Sequence, residues 1–124
     1  MRSLVVCLCV VLTMLTGTQP SYAHSSLAVA SPGVSAVVFT SPAQIRLTFD
    51  EDLISMGGSN QIVVKAPNGS VISKAKTYVT GSVAAVFLAK LKVFGKYRVT
   101  YRIVSADGHI VSSSYSFYYQ RKTN

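Results

Sequence analysis

The sequence predicts an all-β domain, an immunoglobulin-like Greek-key β-sandwich or barrel. Three observations carry that expectation. Apolar and polar residues alternate with a period of two in the clearest runs. Turn dipeptides built on Gly and Pro separate those runs at short intervals. No stretch holds a helical period over a useful length, and Lys90–Phe94 is at most a turn.

The elements follow in chain order. Residues 1–23 read as a secretory signal peptide. Arg2 supplies a positive start, Leu4 to Leu15 is an apolar run of 12 residues, and Ser21-Tyr22-Ala23 offers a small-residue cleavage site after Pro20. A spanning helix needs roughly 20 apolar residues, so the run is too short for an anchor. Cleavage after Ala23 leaves a second segment, 24–124, of 101 residues beginning at His24. Both cysteines, Cys7 and Cys9, depart with the signal. The mature chain enters a space that permits disulfides and uses none, so its stability must come from a core. About 100 residues suffice for one.

Strand candidates then succeed one another: Ser26–Ala30, Ala36–Phe39, Gln44–Phe49, Gln61–Lys65, Lys76–Thr80, Ala84–Leu88, Tyr97–Ile103 and Ile110–Tyr119. Ile45, Leu47 and Phe49 share one face of the third. Tyr97, Val99, Tyr101 and Ile103 share one face of the seventh, with Arg98, Thr100 and Arg102 on the other. Ser31-Pro32-Gly33, Ser41-Pro42 and the loop Met56–Asn60 break the first half. Pro67-Asn68-Gly69 and Asp107-Gly108 are hairpin signals, the latter suited to a type I′ turn.

Composition excludes several function classes. Without a mature cysteine there is no thiol nucleophile, iron–sulfur cluster or blue-copper centre. There is no phosphate-binding Gly-rich loop. No later apolar run reaches spanning length, so the mature chain is expected to be soluble, with a monomer the simplest state. Its 11 Lys+Arg against 4 Asp+Glu give a net charge of +7. Export argues against a nucleic-acid partner. The cations of the second half read as a solvated polar face, with contact to a membrane surface as the alternative.

Two histidines remain, and both are informative. As the first mature residue, His24 offers an α-amine and an imidazole Nδ1 to one metal in a chelate ring. Upstream of the cut the amine would be an amide, so processing creates the ligand. Asp107 and His109 stand two apart and can bring a carboxylate and a ring together. Three nitrogens and one oxygen suit tetragonal Cu(II), and Zn(II) could use the same residues tetrahedrally. Taken singly, Asp107-Gly108 is an ordinary turn, and His24 a frayed terminus.

These residues resemble the CopC copper-resistance family. His24-Ser25-Ser26-Leu27 with Ser31-Pro32 resembles its opening, HAxLxxSxP. Leu47–Glu51 resembles its LxFSE strand end, and Tyr97–His109 its YxVxWRVVSADGH signature. Ile110, Ser113 and Tyr101 depart from the family's frequent Pro, Gly and Trp, at scaffold positions. The resemblance implies a seven-stranded, immunoglobulin-like barrel in the periplasm or an equivalent extracytoplasmic space. It implies one Cu(II) per chain, held by His24, Asp107 and His109, with Glu51 a weaker candidate ligand. It also implies a copper carrier or buffer rather than an enzyme, with a CopD-like membrane copper transporter as partner. A Cu(I) site needs several soft ligands, and only Met56 survives processing. The competing readings are a histidine-brace copper oxidase, which would leave an equatorial position open, and a metal-free adhesion module.

Overall fold

The structure is a computed structural model that describes residues 26–124. The expected signal segment and His24 lie outside the described residues.

Eight strands form two sheets: β1 (Leu27–Ser31), β2 (Val37–Val38), β3 (Gln44–Phe49), β4 (Gln61–Lys65), β5 (Ser73–Thr80), β6 (Val83–Leu88), β7 (Gly95–Val104) and β8 (Ile110–Tyr119). One sheet has the order β1-β3-β6-β5, the other β2-β8-β7-β4. Those are the A-B-E-D and G-F-C sets of an immunoglobulin sandwich, with the short β2 added beside the last strand. The expected fold is therefore the observed one.

The period-two runs do what their spacing dictates. Ile45, Leu47 and Phe49 of β3 are buried, as are Tyr97, Val99, Tyr101 and Ile103 of β7. They meet Ile62, Val64, Val86 and Phe117 in one core between the sheets. Tyr97 stacks on Phe117 with ring centroids 5.4 Å apart, and Phe49 meets Tyr101 edge-on at 5.7 Å. Arg98, Thr100 and Arg102 face outward.

Three strands have the bounds their sequences suggest: β3, β4 and β8. The other five differ, two of them for clear local reasons. β2 keeps only two residues, because it pairs parallel with the last two positions of β8, Tyr118 and Tyr119. One pair in this sandwich is thus not antiparallel. β5 begins at Ser73, before the apolar alternation starts, and its register with β6 is interrupted between Ser73 and Thr77. That irregular stretch ties the two sheets together at one edge. The Ser73 hydroxyl accepts from Val64 N at 3.0 Å, and the Thr77 hydroxyl from Ile62 N at 3.1 Å.

Strand polarity defines two poles. At one, β7 ends at Val104 opposite Ile110, and β3 ends at Phe49, whose N–H donates to Ser82. At the other, Gly95 pairs with Tyr119 and Gln44 with Phe87. The ten residues of β7 separate the poles by about 30 Å.

Candidate metal site

The β7–β8 hairpin turns through Ser105–His109 at the first pole. It is wider than a two-residue type I′ turn. Gly108 N donates to Ser105 O at 2.8 Å, and Ser105 N to His109 O at 2.9 Å, closing three loop residues. Gly108 has φ +89°, a left-handed conformation that costs any L side chain steric energy. The Asp107-Gly108 signal located the turn correctly but underestimated its length.

This turn brings Asp107 and His109 together. His109 Nδ1 lies 2.7 Å from Asp107 Oδ2. Asp107 Oδ1 accepts from His109 N at 3.0 Å and from the Ser105 hydroxyl. The Ser105 hydroxyl, followed by the His109 N–H and ring, holds the Asp107 carboxyl far below the usual carboxylate range. The group is thus an anion throughout the neutral range. Ionised, it has about four lone-pair directions. Three are used, which leaves one on Oδ2 beside the imidazole. Asp107 and His109 side chains are 42% and 52% exposed, so the pair faces solvent.

Beneath the turn the chain is fixed. Ser105 is fully buried, and its backbone bridges to Leu53. Ala106 N donates to Asp52 O at 2.8 Å, and Ile54 N to Val104 O at 2.9 Å. Asn60 is buried and satisfies both partners: its amide donates to Ile54 O at 2.5 Å, and its oxygen accepts from Val104 N at 2.9 Å. The loop after β3 thereby buttresses the site.

The described start of the chain is anchored at the same pole. Ser26 donates to Asp50 from both its N–H and its hydroxyl, each at 2.7 Å, and accepts from Asp50 N at 3.1 Å. The Ser26 hydroxyl is the main cause that lowers the Asp50 carboxyl below its ordinary range, against an opposing desolvation. Ser26 and Leu27 share a shallow depression with Tyr101 and Ile110–Ser113, immediately after His109.

The expected ligands therefore fall into three groups. Asp107 and His109 are brought together. His24 lies outside the described residues. Glu51 follows Asp50 at this pole, but among the described residues no three His, Cys, Asp or Glu side chains converge. Met56 is an exposed loop residue. Tyr115 is buried and donates to Pro32 O at 2.9 Å, while Tyr118 and Tyr119 lie at the far end of β8. None of the three forms an aromatic surface beside the pair. Sequence reasoning missed three supporting residues, Ser105, Asp50 and Asn60. A buried serine or asparagine has no local signature, and the Asp50–Ser26 clamp spans 24 positions.

Residues 27–120 match the CopC domain family. Copper resistance protein C of Xanthomonas campestris pv. juglandis is 36% identical over 78% of this chain and 80% of its own length. The copper transport protein CutJ of Bacillus subtilis is 31% identical over 80% of this chain, which spans only 18% of that relative. CopC from Methylosinus trichosporium OB3b superposes with a TM-score of 0.67 at 27% identity, covering 82% of this chain and 98% of that one. The fold is also that of PcoC, a methionine-rich copper resistance protein from Escherichia coli. There the TM-score is 0.64 at 23% identity, over 79% of this chain and all of PcoC.

Proposed function

This chain belongs to the CopC domain family, and from that membership we propose that it is an exported carrier or buffer for one Cu(II) per chain. The observation that carries the reading is the Asp107–His109 pair, preset on a rigid turn beside the anchored first strand. Copper here is cargo, and the site needs no open position for chemistry.

The donor set fits the cargo. The described residues supply one imidazole and one carboxylate. The Asp107 carboxylate at Nδ1 favours a proton on that nitrogen and directs Nε2 to the metal, a common orientation for ligating histidines. An oxygen bonded to Nδ1 lies across the ring from Nε2, so to ligate the same ion the Asp107 carboxylate must turn off Nδ1 as copper enters. Cleavage after Ala23 would add the amine and ring of His24. Only Ser25 separates it from the clamped Ser26, and two steps along the chain reach about 7 Å. The completed set, three nitrogens and one oxygen, matches the tetragonal preference of Cu(II).

The electrostatics support capture. All four carboxylates of the sequence, Asp50, Glu51, Asp52 and Asp107, lie at this pole of an otherwise basic chain. Binding should weaken as pH falls through the ordinary range of the α-amine, about 7.7–8.0, because the proton competes with the metal there. A relative named for copper transport favours hand-off to a membrane transporter, in the periplasm or an equivalent space.

The test is a Cu(II) titration followed by EPR on two forms, one beginning at His24 and one carrying an extra Gly before it. A tight 1:1 tetragonal, nitrogen-rich signal in the first, much weakened in the second, supports the brace. Equal, weak binding by both removes it.

A further inference from the structure

The second pole is the chemical opposite of the first. Among the described residues it bears no Asp or Glu side chain, since all four lie at the metal pole. It gathers Lys90, Lys92 and Lys96 around the loop between β6 and β7, with Arg121 just after β8. Between Lys92 and Lys96 along the chain, Val93 and Phe94 are 37% and 46% exposed.

Their exposure is built in. Leu91 is the buried anchor of the loop, and its N–H donates to the Ser41 hydroxyl at 2.9 Å. The buried Tyr97 donates its hydroxyl to Val93 O at 2.6 Å. The turn holding Pro67 closes over Gly95, where a Cβ would stand 3.0 Å from the Pro67 ring. Phe94 packs on Tyr119 at 4.8 Å, and Arg121 lies over its ring at 5.6 Å. Sequence alternation alone would have buried one of two neighbours. Here the loop buries Leu91 and leaves the next apolar pair outside among amines.

We propose that this pole docks on an anionic phospholipid bilayer, with Val93 and Phe94 entering the interface and the lysines meeting phosphate head groups. Complementary charge attracts the lysine cluster, and a half-exposed aromatic tip supplies the apolar contact that a purely electrostatic surface lacks. The separation of the poles then has a consequence. A chain seated this way directs Asp107 and His109 away from the lipid, about 30 Å of β7 above it. The claim concerns a surface that contains no metal ligand, so it stands or falls apart from the copper reading.

The experiment is flotation of the chain beginning at His24 with vesicles of phosphatidylglycerol and phosphatidylcholine, against vesicles of phosphatidylcholine alone. The chain is expected to float only with the anionic vesicles and to be released by salt. Lys90→Glu/Lys92→Glu/Lys96→Glu should lower partitioning by at least about a hundredfold, at roughly fivefold per charge. Arg46→Glu/Lys76→Glu/Arg98→Glu makes the same change in net charge on the flanks of the sandwich and should alter it by only a few fold. Phe94→Ser should weaken binding without changing the number of charges. All the replaced side chains are exposed, and circular dichroism checks that each variant folds. Equal losses from the two triple variants would overturn the proposal by reducing it to net charge. Absence of flotation with every vesicle would also overturn it, and would direct attention to an acidic polypeptide as the partner of this pole.

Discussion

Two turns in this molecule share one backbone. Ala66–Ser70 and Ser105–His109 each close three loop residues, with the fourth position a glycine at φ +85° and +89°. In each, that glycine N–H donates back three residues, at 2.9 and 2.8 Å. The first residue's N–H donates to the fifth residue's carbonyl, at 2.8 and 2.9 Å. In each, the third side chain accepts from the fifth N–H: Asn68 from Ser70 at 3.1 Å, Asp107 from His109 at 3.0 Å. Four residues separate them: Ala106 replaces Pro67, and three further changes carry the chemistry. Ser105 replaces Ala66, Asp107 replaces Asn68, and His109 replaces Ser70. The first turn sits at the basic pole and closes a hairpin. The second sits at the carboxylate pole and presents a ring locked to an anion. The turn scaffold is therefore common property, and the chemistry resides in a buried hydroxyl, a charge and an imidazole placed on it.

The largest effect expected from this comparison is on copper. His109→Ala removes a proposed ligand and should lower Cu(II) affinity by more than the 10–100-fold typical of outer-shell changes. Ser70→Ala, at the matching position of the other turn, should leave it unchanged. Competition titration against a chelator of known affinity reads both. An equal affinity for wild type and His109→Ala would detach the turn from copper altogether.

Much of this was readable in the sequence, and the reason is period. β3, β4 and β8 alternate or hold dense β-formers along their whole length, and their bounds agree with the structure. The Asp107–His109 pair was readable because residues two apart near a turn have few ways to avoid each other. What escaped was non-local. The burial of Ser105 depends on the loop after β3, half the chain away in sequence. The clamp of Ser26 on Asp50, and the support from Asn60, are likewise long-range choices that composition does not mark. Glu51 drew notice through its match to a glutamate of the family, yet it is its neighbour Asp50 that secures the first strand. The first half of β5 was missed because it bonds through hydroxyls instead of burying an alternating face.

Changes next to the ring should cost less than loss of the ring. Asp107→Asn keeps the shape but offers a neutral amide oxygen in place of the proposed anionic ligand, so a loss of Cu(II) affinity of at least the 10–100-fold typical of outer-shell changes is expected. Asn68→Ala should not affect copper. A matching loss from both would mean that general stability, not the site, controls binding.

Stability should treat the two turns alike. Gly69→Ala and Gly108→Ala each force a left-handed residue, at about 1–2 kcal/mol. For a domain near 100 residues that is a fall in Tm of several degrees, of the order of 4–8 °C per kcal/mol. Thermal unfolding without metal should give similar shifts. Only Gly108→Ala should also impair copper binding.

A smaller effect concerns acid. The Asp50 carboxyl is lowered in the folded chain, chiefly by the Ser26 hydroxyl. A depressed folded value means that the stabilisation is complete above the unfolded pKa, about 3.9, and disappears as pH falls through the folded one. The Tm gap between wild type and Asp50→Asn should therefore be constant near neutrality and narrow below about pH 4. A gap that widened in acid would reverse the sign and remove the clamp from the account.

The smallest expected effect is the most informative about what a site is. Ala66→Ser/Asn68→Asp/Ser70→His would copy the three chemically distinctive side chains onto the other turn, with Pro67 kept where the native turn has Ala106. Tight Cu(II) binding at that turn is not expected. The basic pole surrounds it with Lys65, Lys90 and Lys92 instead of carboxylates, and no anchored chain terminus is placed to add an amine and a second ring. Ala66 is itself largely buried, so a serine there must find a partner or lose stability. The copied turn should at most hold a ring against a carboxylate, visible as a shifted imidazole signal by NMR in the metal-free chain. If instead it bound Cu(II) as tightly as the native turn, three side chains on a hairpin would suffice, and neither the carboxylate pole nor His24 would be needed to explain the site.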